Sequence, residues 1–392
     1  MGLIIIGRVQ KFQQYIQAVG WCKLEAGEDG SLFAPCTIAW QKPVSVPILG
    51  VMSFRIGVIG TGHIGRLHSR ILSEVAGGEF CCVYDQNSQA ANEVARAHGV
   101  RAAESMEDFI DSVDAATVAT PTPFHFSIGK RLLDSGRHVL IEKPITETTA
   151  DAQALVDLAK AKGLALQVGH VERFNPVLSA LEARLHQPRF IESHRLSPYP
   201  NRSTEIGVVL DLMIHDLEII LHLVRSPLLS VDAVGVPVLS ASEDIANARL
   251  HFENGCIANL TVSRVSPERL RKIRVFQEDC YLSLDYMRQE GFVYRMAEEH
   301  QRESSLLTKL FASGDTTLVS EFAGRKILRE PVPIEKGEPL KRELLDFVRC
   351  AKAGAEPKVS GREGTAALAL ALDITKRIQA HGKAHPFIAK KL

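Results

Sequence analysis

The sequence predicts an α/β protein in which a doubly wound parallel sheet is followed by an α+β domain with an open-faced, mainly antiparallel sheet. Up to about residue 168, short apolar runs alternate with helical stretches, and strands separated by helices pair in parallel. After Pro176 the rhythm changes to longer strand-like runs that follow a helical stretch. The two patterns indicate two sheets of different kinds in one chain.

The parallel pattern opens at Arg55, directly before the apolar run Ile56-Gly-Val-Ile59. Helical periodicity separates each apolar run from the next. The predicted strands span 56–59, 80–84, 115–119, 138–141 and 165–168, and the predicted helices span 63–76, 88–98, 124–135 and 149–162.

The second pattern combines one sheet with helices before and after it. Its runs are longer than those of the first half, as expected for strands of an α+β domain. Helices are predicted at 208–224, 341–351 and 364–381, and strands at 231–238, 246–252, 256–264, 271–277 and 281–286.

Residues 1–52 differ from the rest of the chain. They hold both tryptophans and no clear helical or strand period, whereas Met52-Ser-Phe-Arg leads directly into the first strand. We interpret them as an upstream extension without a role in function. A lid or an oligomerisation arm is the alternative.

Composition and charge narrow the class of protein. Of 392 residues, 45% are hydrophobic and 23% charged, which is typical of folded globular domains. Lysine plus arginine equals aspartate plus glutamate at 46 each, so no net field favours nucleic acid or an anionic membrane. No apolar run reaches the roughly 20 residues of a membrane helix. Seven cysteines without a Cys-x-x-Cys pair predict a cytoplasmic protein.

A glycine-rich turn follows the first predicted strand. Gly60, Gly62 and Gly65 have the spacing GxGxxG, in which the glycines permit a tight turn, close approach of a pyrophosphate and close packing of helix on strand. The free N–H groups of the following helix would bind the pyrophosphate. His63 and Ile64 would contribute backbone groups only. This arrangement predicts a Rossmann dinucleotide site.

Asp85, at the end of the second predicted strand, supports that prediction. An acidic residue there accepts hydrogen bonds from the hydroxyls of the adenosine ribose. The next residues, Gln86 and Asn87, carry no positive charge for a 2′-phosphate. We therefore predict NAD as the cofactor in preference to NADP.

Two polar segments follow the next strands at the same edge of the sheet. Thr120-Pro-Thr-Pro-Phe-His125 follows one strand, and Glu142-Lys143-Pro144 follows the next. The carboxyl ends of parallel strands form the ligand crevice of such folds. These residues are expected to lie where the nicotinamide ring reaches.

A polar stripe marks the predicted helix at 208–224. Asp211, His215, Glu218 and His222 recur at helical spacing on a mostly apolar helix. A solvent-facing stripe would explain it. A metal site from the first three is disfavoured because no cysteine or further histidine signature accompanies them, and we predict no metal. The third explanation is a general base with an orienting carboxylate, opposite an ammonium that stabilises an alkoxide.

Together these motifs resemble the glucose-fructose oxidoreductase, inositol dehydrogenase and MocA (Gfo/Idh/MocA) family of NAD(P)-dependent sugar oxidoreductases. The resemblance covers roughly residues 54 to 380. It rests on the glycine turn and on the segments Ala-Thr-Pro-Thr-Pro-Phe-His (119–125), Glu-Lys-Pro (142–144), Gly-His-Val-Glu-Arg-Phe-Asn-Pro (169–176), the Asp211/His215 pair and Val-Ser-Gly-Arg-Glu-Gly (359–364).

The resemblance implies roles for individual residues. Lys143 would bond the reacting hydroxyl and border the cofactor, His215 would be the general acid/base, and Asp211 would contact the substrate or orient the histidine. Arg173 and Asn175 would face the sugar, although Asn175 before Pro176 is also suited to cap a helix. The residues expected to shape the cofactor site are Thr120, Pro121, His125 and Glu142.

The resemblance also implies a domain plan and a class of substrate. Residues 53–172 would bind NAD, and residues 173–392 would bind substrate and pack against another subunit in a homodimer or homotetramer. The segments at 170–176 and 211–216 are most similar to nucleotide-sugar 3-dehydrogenases acting on UDP-N-acetylglucosamine or its uronate. A dehydrogenase of a free sugar or inositol, an NAD-dependent glycosidase and a non-catalytic NAD or sugar sensor are the alternatives.

Overall fold

The computed structural model describes residues 54–75, 79–199, 206–297, 317–322 and 325–384. Residues 1–52, which we interpret as an upstream extension with a lid or an oligomerisation arm as the alternative, lie outside these residues. The described chain forms two sheets with helices packed on them. No helix of the described chain is both long enough and apolar enough to cross a membrane.

The first sheet has six parallel strands in the order β3-β2-β1-β4-β5-β6. This order reverses direction between β1 and β4, and the ligand crevice of such sheets lies outside the carboxyl ends of the strands at that point. The predicted parallel sheet is confirmed, with one added two-residue strand. The strands are Arg55–Ile59 (β1), Glu79–Tyr84 (β2), Arg101–Ala102 (β3), Ala115–Val118 (β4), His138–Glu142 (β5) and Leu166–Gly169 (β6).

Two helices of the first domain start and stop at residues suited to those positions. Asn87 and Thr148 each accept a backbone hydrogen bond as N-caps, and Gly99 and Gly163 end the same two helices in the left-handed conformation. The α-helices are His63–Glu74 (α1), Ser88–His98 (α2), Met106–Ser112 (α3), His125–Asp134 (α4), Thr149–Lys162 (α5), Pro176–Glu182 (α6), Ile214–Val224 (α7), Pro339–Ala353 (α8) and Gly361–Ala384 (α9).

The second sheet has nine strands in the order β14-β15-β13-β12-β11-β7-β10-β9-β8. Only the β7–β10 pair is parallel among its described pairings, so the predicted mainly antiparallel sheet is confirmed. The strands are Phe190–Leu196 (β7), Leu228–Val236 (β8), Ile245–Phe252 (β9), Ile257–Ser263 (β10), Leu270–Phe276 (β11), Cys280–Asp285 (β12), Glu290–Met296 (β13), Thr317–Phe322 (β14) and Arg325–Pro331 (β15).

One face of this second sheet is covered and the other is open. Along β7, Ile191, Ser193 and Arg195 are buried while the alternate residues are half-buried, as the two-residue period of a strand requires. The covered face shares a hydrophobic core with α7 and α9, which contribute Leu217 and Ile374.

The helix predicted at 208–224 is not uniform. Val209–Met213 forms a π-helical turn, and α7 continues from Ile214. A π-turn spreads five residues over one turn, and such turns occur frequently at functional sites. It carries Asp211.

The two C-terminal helices return to the first sheet. Leu344, Phe347 and Val348 of α8 belong to the same buried cluster as Ile56 and Leu140 of that sheet. The core of the first sheet therefore includes residues from the end of the chain.

Candidate active site

The glycine turn after β1 has three glycines in three different environments. Gly60 has φ +90°, and a Cβ there would lie 2.6 Å from the Ala119 carbonyl oxygen. A Cβ at Gly65 would lie 1.8 Å from the Gly60 carbonyl oxygen, whereas a Cβ at Gly62 would meet no atom of the described residues within 4 Å. Gly62 is the N-cap of α1, and no side chain caps this helix. The turn thus leaves open space at a helix N-terminus, which suits a phosphate group.

These environments predict that alanine at Gly65 affects mainly stability, whereas alanine at Gly62 affects mainly NAD binding. Gly65→Ala should lower the free energy of unfolding by about 3 kcal/mol or more, because backbone must move. Gly62→Ala should change it by less than about 1 kcal/mol and still weaken NAD binding by roughly tenfold or more, because its methyl group enters the space for the pyrophosphate. Urea denaturation and NAD titration of both variants measure the two effects. Equal NAD affinity in Gly62→Ala and the wild type would contradict this assignment.

Asp85 closes the glycine turn from the second strand. Its Oδ2 accepts hydrogen bonds from the Thr61 backbone N–H (2.7 Å) and hydroxyl (2.9 Å), and its Oδ1 accepts from the Asn87 N–H (2.8 Å). A carboxylate has about four lone-pair sites, so these bonds leave it able to accept from ribose hydroxyls. His63 and Ile64 are exposed at the start of α1.

His125 joins the two polar segments predicted at the carboxyl edge. Its ring nitrogens lie 2.9 Å from the Pro144 carbonyl oxygen and 2.8 Å from the Thr120 carbonyl oxygen. The side chain is buried, whereas Pro121 is exposed. From its buried position His125 therefore holds the backbone at Thr120 and Pro144 together, and so shapes this edge of the sheet.

Lys143 connects the first sheet to the helix of the second domain. Its ammonium donates to the backbone carbonyl of Asp211 (2.8 Å) and to the Asp211 carboxylate (3.2 Å). Both side chains are about one-fifth exposed, at 19% and 22%. Two residues predicted on separate grounds thus form one ion pair that solvent still reaches.

His215 lies one helical turn beyond Asp211 and packs edge-to-face on His170, with ring centroids 5.8 Å apart. Its Nδ1 is buried and has no hydrogen-bond partner in the described part of the chain. Burial, and then the positive charge of Lys143, hold the pKa of His215 well below its usual range. Burial and the same ammonium lower the pKa of His170 to about 3. Both imidazoles are therefore neutral near pH 7, and His215 can accept a proton.

Arg173 and Asn175, which the resemblance implies face the sugar, make internal contacts in the structure. Both are almost fully buried. The Arg173 guanidinium donates to Glu218 Oε1 (2.8 Å) and to His222 Nδ1 (2.7 Å). Asn175 caps α6 by accepting from the Val177 N–H, which is the alternative the sequence offered.

Two of the three residues weighed as metal ligands, Asp211 and Glu218, form ion pairs within the protein. Asp211 pairs with Lys143, whereas Glu218 lies buried against Arg173. Glu218 and His222 thus both contact Arg173. Part of the polar stripe therefore faces the protein interior and not solvent.

A buried ion-pair network anchors the helix that carries His215. The Arg195 guanidinium donates to Asp216 Oδ2 (2.8 Å) and to Glu172 Oε1 (2.9 Å), and all three side chains are buried. Asp216 directly follows His215, so the network fixes α7 against β7. Removing one partner of such a network leaves an uncompensated buried charge.

Family models match both parts of the described chain. Residues 54–170 match the model described as "Oxidoreductase family, NAD-binding Rossmann fold", and residues 178–282 match the "GFO/IDH/MocA C-terminal domain". UDP-N-acetylglucosamine 3-dehydrogenase of Acidithiobacillus ferrooxidans is 34% identical over 334 residues, 84% of this chain and 99% of that protein. The scyllo-inositol 2-dehydrogenase (NAD(+)) of Bacillus subtilis is 24% identical and covers 82% of this chain and 93% of its own.

Solved structures give the same picture of the fold. UDP-N-acetylglucosamine 3-dehydrogenase GnnA from A. ferrooxidans superposes with a TM-score of 0.75 at 34% identity, covering 83% of this chain and 97% of that chain. Levoglucosan dehydrogenase, in complex with NADH and levoglucosan, superposes with a TM-score of 0.69 at 18% identity, covering 83% and 97%. At that identity the second likeness concerns the fold alone.

Proposed function

Because the chain belongs to the Gfo/Idh/MocA oxidoreductase family, whose first domain binds NAD, we propose that it oxidises the C3 hydroxyl of UDP-N-acetylglucosamine or a closely similar UDP-sugar. The observation that carries the catalytic part is the Lys143–Asp211 ion pair, which joins the carboxyl edge of the NAD-binding sheet to the helix bearing His215. The substrate rests on the 34% identity to the A. ferrooxidans enzyme across 99% of its length.

In the proposed reaction a secondary alcohol loses a hydride from carbon and a proton from its hydroxyl group. NAD, when bound, accepts the hydride. The hydroxyl proton goes to Nε2 of His215, because Nδ1 of that ring is buried. The Lys143 ammonium stabilises the negative charge that develops on the substrate oxygen, and Asp211 orients the ammonium through its carbonyl and carboxylate oxygens.

The proposed cofactor contacts are those at the carboxyl edge of the first sheet. They group around the open helix N-terminus at Gly62 and the strand ends beside it. The residues are Gly60, Gly62, His63, Ile64, Gly65, Asp85, Thr120, Pro121, His125, Glu142 and Lys143.

The direct test uses UDP-N-acetylglucosamine carrying deuterium at C3. Incubation with NAD should give a sugar product lighter than the labelled substrate by one hydrogen and one deuterium, and the deuterium should appear in NADH. Both products are read by mass spectrometry. Conversion of only free sugars or inositol would shift the function to that alternative. Glycosidic cleavage without net NADH would indicate a glycosidase, and NAD binding without turnover on a broad sugar panel would indicate a sensor.

Asp85 should control the choice between NAD and NADP. A 2′-phosphate would meet its carboxylate, so Asp85→Ser should reduce the preference for NAD by roughly tenfold or more in kcat/KM. Steady-state rates with each cofactor measure the ratio. Ser88→Ala, at the exposed start of α2, is the control. An unchanged ratio in Asp85→Ser would show that cofactor choice lies elsewhere.

We also propose a cytoplasmic homodimer or homotetramer. The open face of the second sheet carries cross-strand aromatic contacts between Phe276 and Tyr281 (4.5 Å between ring centroids) and between Tyr281 and Tyr294 (4.8 Å). These half-buried rings offer a flat apolar surface for a second copy. The five described cysteines are free thiols, which fits a reducing compartment. Sedimentation analysis would give the number of subunits.

A further inference from the structure

A buried cluster of two carboxyl groups and an imidazole lies behind Lys143. Glu142 ends β5, His68 lies on α1 and Glu343 on α8. One side-chain nitrogen or oxygen atom from each of these residues lies within 4.8 Å of the corresponding atoms of the other two. His68 and Glu343 are fully buried, and the Glu142 side chain is 16% exposed. The cluster thus joins the strand that carries Lys143 to a helix from the C-terminal end of the chain.

Glu142 is held tightly on two sides. Its Oε1 accepts a hydrogen bond from His68 Nε2 (3.1 Å), and its Oε2 accepts one from the Lys143 backbone N–H (3.3 Å). On the third side lies Gly169 of β6, where a Cβ would come within 2.9 Å of the carboxylate. Any change in the orientation of Glu142 is therefore passed to the backbone of Lys143.

Among the residues that the structure describes, neither carboxyl oxygen of Glu343 has a hydrogen-bond partner, and His68 Nδ1 also lacks one. The charged groups that act on Glu343 most strongly are carboxylates: Glu142 on β5, Asp346 on its own helix and Glu218 on α7. Burial, and then these charges, raise the pKa of Glu343 well above its usual range. With His68 donating to Glu142 through Nε2, its Nδ1 is a bare acceptor.

We propose that Glu343 is a positioning residue that stays protonated at neutral pH and donates a hydrogen bond to the His68–Glu142 pair. The three groups then share two protons and one negative charge. One proton is on Glu343 and one on His68 Nε2, and Glu142 carries the charge next to Lys143. The consequence for turnover rests on the proposed function, whereas the protonation of Glu343 does not. Glu343→Gln keeps a buried donor, and Glu343→Met removes it while keeping the volume similar.

Infrared spectroscopy tests the proton directly. Burial also raises the pKa of Glu218 to about 8, so the carbonyl stretching band of protonated carboxyl groups at pH 7 should be weaker in both Glu343 variants than in the wild type, without being lost. Cys350→Ala, a buried substitution on the same helix outside the cluster, should destabilise the protein but keep the band. If the wild type and Glu343→Gln give the same band intensity, Glu343 is ionised and the proposal is wrong. A metal ion retained in native mass spectra of the wild type and lost in Glu343→Gln would also overturn it.

Kinetics tests the positioning role. Glu343→Met should lower kcat by roughly 10- to 100-fold with the KM for the sugar nearly unchanged, because Lys143 is displaced without loss of ground-state contacts. Glu343→Gln should restore kcat to within about threefold of the wild type. Equal losses in both variants would indicate a purely structural role and overturn the proposal. Absence of turnover in the wild type, together with the weaker infrared band in both Glu343 variants, would reject the proposed function and leave the protonated Glu343 in place.

Discussion

Lys143→Met is expected to lower kcat by roughly 10³-fold or more, with the affinity for NAD changed by less than about threefold. Methionine preserves the length of the side chain and removes the positive charge that the Asp211 carbonyl and carboxylate orient. The charge matters most when the substrate oxygen becomes an alkoxide, so its loss should appear in turnover and not in nucleotide binding. Single-turnover kinetics and NAD titration measure the two quantities.

A matched lysine on the same domain serves as the control for this prediction. Lys130 pairs with Asp134 four residues along α4 and is about half exposed, at 54%. Lys130→Met should leave kcat unchanged and alter stability by less than about 0.5 kcal/mol. Wild-type turnover in Lys143→Met would exclude an essential role for the ammonium.

His215→Asn should lower kcat by about 10²- to 10⁴-fold, the usual contribution of a general base. Because burial and Lys143 lower its pKa, His215 is already neutral at pH 7. The wild-type kcat/KM should therefore stay flat through neutral pH and fall only in acid, below the ordinary histidine range near 6.5. The remaining activity of His215→Asn should lack this acid limb. An acid limb of unchanged position in His215→Asn would assign it to another group.

The lowered pKa of His215 also makes the free energy of unfolding depend on pH. The unfolded chain binds a proton at His215 below about pH 6.5, whereas the folded chain binds it only at lower pH. The wild type should therefore lose stability as the pH falls below about 6.5, by up to about 1.4 kcal/mol per pH unit for this group. His170 adds a second contribution of the same sign. Urea denaturation of the wild type and of His215→Asn between pH 7 and pH 5 gives the free energy of unfolding of each, and the difference between the two pH dependences is the contribution of His215.

Local signals made much of the fold predictable. The helices at 88–98 and 149–162 have the predicted bounds because Asn87 and Thr148 cap their starts and left-handed glycines end them. The positions of the glycine turn and of Lys143 could be predicted from the sequence alone. Each directly follows a strand of a parallel sheet, and the carboxyl ends of such strands lie at the same edge. Lys143 contacts Asp211, and both residues belong to motifs that are visible in the sequence.

Other features depend on tertiary packing that no local pattern reports. The spacing of Asp211 and His215 suggested a regular helix, yet a π-turn carries the first residue and α7 the second. Arg173 looked available for a ligand, but Glu218 and His222 surround it after folding. No local pattern marks Glu343, since its neighbours His68 and Glu142 lie on α1 and β5, far from it in the sequence.

The return of α8 to the first sheet has a consequence for synthesis of the protein. The apolar face that includes Ile56 and Leu140 is covered by Leu344 and Phe347, so the chain up to Phe347 must leave the ribosome before that face is closed. Nascent domains with exposed apolar surface are prone to aggregate. The nucleotide-binding sheet, although translated first, is therefore among the last parts of this molecule to be completed.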